Sequence, residues 1–165
     1  MKASLFIFIL FIGLFSPSIT KVRADYKNAF NSKEATLQLN KDLTKVKKTD
    51  EKLLVAYKGA VLTLMAKYSK ITKEKKTFFK EGATLIDFAI MEEPTNVEMR
   101  CIRLGVQENA PKLLKYRANK TEDKQLINDE YENIKSIAIK KHVRGFIMQS
   151  TSFSDQEKNI SIKNL

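Results

Sequence analysis

Residues 51–68, EKLLVAYKGAVLTLMAKY, decide how this chain folds. Wound as a helix at about 100° per residue, they place Ala56, Gly59, Ala60, Thr63 and Ala66 on one side. Leu53, Leu54, Tyr57, Val61, Leu64 and Tyr68 fall on another. A helix apolar nearly all round is an interior helix. The bulky side fills a core, and the small side admits a neighbouring helix at close range. Gly59 costs roughly 1 kcal/mol of helix propensity, which close packing would offset. Lys58 is an isolated charge on this otherwise apolar segment.

The same period continues on the C-terminal side. After a basic connector over 70–76, residues 77–93 place Phe79, Gly82, Ala83, Ile86, Ala89 and Ile90 on one stripe, with Lys80, Thr84 and Asp87 outward. Residues 96–109 form a third helix with a narrow polar stripe of Asn96, Arg100, Arg103 and Gln107. Val97, Met99, Cys101, Ile102, Leu104 and Val106 cover most of its remaining surface, and Glu98 projects into that apolar side. A basic-aromatic connector over 111–119 carries Tyr116 and Arg117. One long helix is expected from Thr121 to about His142, with Glu122 and Asp123 at its positive end. On the N-terminal side, 27–43 reads as one polar, weakly amphipathic helix and 45–50 as a charged linker, with Asp50 as a cap. Pro94 and Pro111 fall between helical patterns, and no segment alternates strictly between apolar and polar residues. The fold class is therefore all-α, a short array of antiparallel helical hairpins.

The first two dozen residues follow a different pattern. Lys2 is followed by the apolar run ASLFIFILFIGLF over 3–15, then by Ser16, Pro17 and Ser18, with Val22 and Ala24 as small residues before a cut. That order marks a secretory signal peptide over 1–24. The apolar run falls short of the roughly 20 residues a spanning helix needs. A single domain over 25–150 follows, with a polar tail over 151–165 that reads as loose, with room for one short helix. The protein is expected to be exported, periplasmic or secreted, with a mature chain that does not span the membrane. Removing the leader takes away Lys2, Lys21 and Arg23 and no acid, so the formal charge of +11 becomes +8. The lone Cys101 allows no internal disulfide, and its apolar neighbours suit a small buried hydrophobe.

Two resemblances add to this reading. The stripe Ala56, Gly59, Ala60, with Gly82 and Ala89 followed by Pro94 and Asn96, resembles a degenerate tetratricopeptide-like hairpin and its exit turn. No second copy appears at a fixed period. A wider set runs from Tyr57-Lys58-Gly59-Ala60 through Phe79, Gly82, Ala89, residues 94–100, Arg103, Gln107 and Pro111 to Tyr116 and Asp123. It resembles a family of small exported helical proteins from Bacteroidota-type bacteria, over roughly residues 50–130, most specifically around Glu98, Arg100 and Arg103. The resemblance implies an exported helical protein and implies no chemistry.

Catalytic and metal patterns are absent from the sequence. A Ser/His/Asp or Cys/His nucleophile needs a base, and the single His142 sits in a run of cations that would depress its pKa, as a surface residue at a helix terminus. Zinc-ligand spacings, phosphate loops and cofactor motifs are missing, so no cofactor is assigned. Glu98 is the one acid expected to be enclosed, with Lys58, Arg103 and Arg117 as possible ion-pair partners. Arg100 and Arg103, with Gln107, offer donor forks for a carboxylate or other anion, and Tyr57 and Tyr116 would line such a groove. The candidate ligand residues are thus Tyr57, Lys58, Glu98, Arg100, Arg103, Gln107 and Tyr116.

Charge is uneven: residues 25–80 carry a net +8, 81–111 a net −4 and 112–165 a net +4. Basic patches attract phosphates, lipid headgroups and acidic polymers. The lysines lack the interleaved aromatics of a single-strand track, which argues against a nucleic-acid partner. The leading expectation is a non-enzymatic binding or scaffold module for a protein, a peptide or an anionic envelope component. An enzyme using an enclosed Glu98 and a structural accessory without a ligand are the alternatives.

Overall fold

A computed structural model describes residues 17–163, and every regular element among them is helical. The expected signal run over 1–16 lies outside the described residues. The interior helix is α3 (Lys52–Tyr68), buried from Leu53 through Tyr57 and again at Gly59, Ala60, Val61, Leu64 and Ala66. Helix α4 (Thr72–Glu92) returns antiparallel along the small-residue side of α3, the most extensive helix pair among the described residues. The register is fixed by glycines. A Cβ on Gly59 would stand 2.5 Å from the Gly82 carbonyl oxygen and 2.9 Å from Ile86, and a Cβ on Gly82 would collide with the Gly59 carbonyl oxygen. Glycine lets the two backbones touch where any side chain would separate them.

The remaining helices wrap this hairpin. Helices α1 (Ile19–Ala29) and α2 (Lys33–Asp42) pack on each other and on α3. Helix α5 (Val97–Asn109) follows α4, and a 3₁₀ turn (Lys112–Leu114) leads to α6 (Lys120–Glu130). Helices α7 (Ile137–Gln149) and α8 (Asp155–Lys163) complete the described residues. Two apolar cores result, and α5 lies between them. Met99, Ile102 and Val106 join the larger core of α1–α5. Cys101 and Leu104 join a smaller one with Ile127, Tyr131, Val143, Ile147 and Phe153.

Five expectations are corrected. The single helix over 27–43 is two, because Ser32 turns out of the helix and accepts the Ala35 N–H at 3.1 Å, a capping bond that competes with helix continuation. The basic connector over 70–76 shrinks to 69–71, and its lysines enter the first turns of α4, exposed and in a residue type that favours helix. The long helix from Thr121 to His142 breaks after Glu130, where Ser136 caps α7 by accepting the Ile139 N–H at 3.4 Å. The break folds α7 back against α5. The polar tail is no loose end: Phe153 is buried, α8 packs on α7, and Tyr131 Oη donates to the Ser161 carbonyl at 3.0 Å. Asp50 caps no helix; it accepts the Lys47 N–H at 2.8 Å.

Candidate functional site

Helix α5 presents its polar residues in two directions, and both meet partners from the protein itself. Glu98 lies in the first turn, enclosed by α1, α3 and α7. Arg23 on α1 grips it with both forks, Nε to Oε1 at 2.7 Å and Nη2 to Oε2 at 2.8 Å. Tyr57 on α3 donates its hydroxyl to Oε1 at 2.6 Å. His142 on α7 brings Nε2 to 3.8 Å from the same oxygen. The Tyr26 ring stands edge-on to Tyr57, with centroids 5.4 Å apart. Burial alone would raise the Glu98 pKa, but the Arg23 and Tyr57 hydrogen bonds outweigh it and hold the carboxyl below its ordinary value. Burial and the adjacent Glu98 charge push the Tyr57 hydroxyl far up, so it stays a donor. His142 is pushed down, chiefly by burial, so the ring is neutral at pH 7.

This cluster corrects two expectations and adds one partner from the residues expected as a leader. The partners of Glu98 are Arg23, Tyr57 and His142, not Lys58, Arg103 or Arg117. His142 is no surface terminus, since the chain continues helically to Gln149 and carries the ring against Glu98. Arg23, placed in the expected leader, holds the centre of the network, and α1 runs unbroken across Ala24.

The second direction is the stripe Asn96, Arg100, Arg103 and Gln107, which faces α6 and α4, so its arginines pair with internal acids instead of lining an open ligand groove. Asn96 caps α5 by accepting the Met99 N–H at 3.2 Å. Asp123, fully buried in the first turn of α6, accepts Arg100 Nη1 at 2.9 Å and Arg103 Nε and Nη2 at 2.8 and 2.6 Å. Arg100 also donates to the Pro94 carbonyl and to Glu122. Arg103 Nη1 reaches Asp87 at 3.3 Å, and Tyr116 donates to the same Asp87 oxygen at 2.9 Å. Burial opposes the Arg103 charge, yet Asp123 more than compensates and its pKa stays raised. Gln107 is fully buried, and its amide atoms have no hydrogen-bond partner among the described residues.

The seven candidate residues therefore do not converge on one groove. Tyr57 and Glu98 meet on one side of α5; Arg100, Arg103 and Tyr116 share acids on another. Lys58 points elsewhere, donating to the Val46 and Thr44 carbonyls at 2.6 and 3.1 Å. Sequence reasoning missed Arg23, Asp123 and Asp87 as partners. Asp123 did carry a signal, an acid in a helix first turn beyond a pair of arginines, but only the packing of α6 on α5 brings them together.

Open space lies on the outer face of α3 and α4. A groove of about 550 Å³ is lined by Lys48, Lys58, Lys80 and Glu81, with Leu62 and Leu85 at its apolar surface. Lys80 has no carboxylate partner among the described residues. Among the described residues, no cluster of three or more His, Cys, Asp or Glu is placed to hold a metal ion, and no helix is long and apolar enough to cross a membrane.

No family model, no curated protein and no solved structure matches this chain.

Proposed function

We propose that this protein is an exported, non-enzymatic helical module that binds an acidic segment of a protein partner along the lysine-lined face of α3 and α4. Export rests on the leader pattern over 1–24. The antiparallel, glycine-jointed α3–α4 pair supports a degenerate tetratricopeptide-like hairpin as the scaffold, and the exported helical family of the sequence resemblance is its proposed kin. One observation carries the binding reading. The acids and arginines of α5 are engaged by internal partners, whereas Lys48, Lys58 and Lys80 meet no carboxylate among the described residues and border an open groove whose one acid is Glu81, with Lys58 held by backbone carbonyls and Lys48 over the Phe88 ring. A segment with spaced carboxylates matches that face, and steering by the net positive charge would favour its approach.

Titration with fluorescently labelled poly-glutamate tests this. Binding is expected, weakening steeply with salt as exposed charges are screened. Lys48→Glu with Lys80→Glu is expected to lower affinity at least tenfold at unchanged melting temperature, since exposed charges contribute little to stability. Equal binding by the double variant would sink the reading.

A second reading, an enzyme built on Glu98, draws on the His142 ring 3.8 Å from its carboxylate. Against it, a general acid needs a raised pKa, and this carboxyl is held down by two hydrogen-bond donors. A turnover found against envelope substrates and lost in a folded Glu98→Gln variant would revive it.

A further inference from the structure

The turn between α1 and α2 and the turn between α3 and α4 lie at the same end of the helix bundle. Lys67 Nζ and Tyr68 Oη, at the end of α3, both donate to the Phe30 carbonyl, at 2.8 and 3.2 Å. Lys67 also stands 4.6 Å over the Phe30 ring. Each turn carries a bulky apolar residue facing solvent, Phe30 at 37% exposure and Ile71 at 56%. Leu37, on the first exposed turn of α2, adds a third at 45%. Between Leu37 and Ile71 lies a recess of about 300 Å³, lined also by Met65, Phe78, Lys33 and Lys70.

Lysines surround this apolar tip. Lys33, Lys67, Lys70, Lys73, Lys75 and Lys76 are all exposed, against Glu34 and Glu74. Glu74 accepts the Ser69 hydroxyl at 2.8 Å, and Lys33, Lys70 and Lys73 have no carboxylate partner among the described residues. A second copy of the chain would bring lysines against lysines, so self-association does not explain the patch. Apolar tips on two projecting turns, ringed by cations, match a broad apolar layer beneath a sheet of negative charge. Interfacial binding combines these two terms, apolar burial at the headgroup boundary and attraction of basic residues to anionic lipid.

We infer that this end of the bundle docks on the surface of an anionic lipid bilayer, with Phe30, Leu37 and Ile71 entering the headgroup layer and the surrounding lysines meeting its phosphates. This site is separate from the α3–α4 groove and does not depend on it.

The chain contains no tryptophan, so one introduced residue reports its own surroundings. Ile71→Trp and, as a control on the exposed side of α7, Met148→Trp are placed singly in the full chain. Each is mixed with vesicles of phosphatidylcholine alone or of equal parts phosphatidylcholine and phosphatidylglycerol. The Ile71→Trp emission is expected to shift blue on the anionic vesicles only, and the Met148→Trp emission to stay unchanged; the control separates docking by this end from insertion of the leader. Adding Phe30→Ser and Leu37→Ser is expected to weaken the Ile71→Trp response at least tenfold, whereas Lys48→Glu with Lys80→Glu leaves it intact. The inference fails if Ile71→Trp does not shift, if both reporters shift alike, if neutral vesicles serve equally, or if the serine variant binds as well as its parent.

Discussion

Glu98 shows what one enclosed charge demands of its neighbours. A carboxylate removed from water must be paired and hydrogen-bonded, and here a guanidinium and a phenol satisfy it. Glu98→Gln leaves Arg23 without its counter-charge. Since Arg23 is 17% exposed and keeps some hydration, the expected loss is about 2–3 kcal/mol, below the usual cost of a fully buried broken pair, read as a lower denaturant midpoint. The same cluster sets the response to pH. His142 has a folded pKa below its unfolded value, so acidification protonates the unfolded chain first and stability falls as pH drops through about 6.5. Glu98 also has a depressed folded pKa; its contribution is present above about 4.3 and is lost as pH falls through the folded value. Unfolding free energy measured from pH 8 to pH 3 should decline in two stages. His142→Gln should remove the upper stage alone, and an unaltered decline in that variant would contradict the assignment.

At the scale of elements, the α3–α4 joint is decided by two glycines. In an exposed helix Gly→Ala gains up to about 1 kcal/mol of propensity. At Gly59 the new methyl meets the Gly82 backbone oxygen at 2.5 Å, which no rotamer change relieves, so the helices must part. Overpacking typically costs 1–3 kcal/mol, and Gly59→Ala is expected to lower stability by about 1–2 kcal/mol net, several degrees in melting temperature. Gly145 on α7 provides the contrast, because a Cβ there meets nothing within 4 Å. Gly145→Ala should hold or raise the melting temperature. A stabilising Gly59→Ala would show that the close approach is not needed.

At the scale of the whole molecule, the start of the folded unit matters most. Val22 is buried and Arg23 binds Glu98, both upstream of a cut after Ala24. A chain starting at Asp25 loses the buried valine and leaves Glu98 without its cation. It should be about 3–5 kcal/mol less stable to denaturant than one starting at Pro17. Equal stability of the two would show that α1 contributes nothing before Ala24. N-terminal sequencing of the protein isolated from cells would then show which of the two the cell makes.

The helical nature of this chain is legible in residue order alone, because the 3.6-residue period of residues 51–68, 77–93 and 96–109 is a local property. The enclosure of Glu98 and Cys101 follows from the same arithmetic, since an apolar surface nearly all round leaves no side for water. The helix breaks at Ser32 and before Ser136 do not show in the period, which reads each stretch as one helix, because a serine caps or continues a helix according to what packs beyond it. The partners of the α5 charges lay out of reach. Arg23 is 75 positions from Glu98, and Asp123 is 20 from Arg103. The polar stripe Arg100, Arg103 and Gln107 looked like a surface because helical period shows which residues share a face and not what covers it. Only the docking of α1, α6 and α7 on α5 turned that face inward, because two separate cores each needed one side of the same helix.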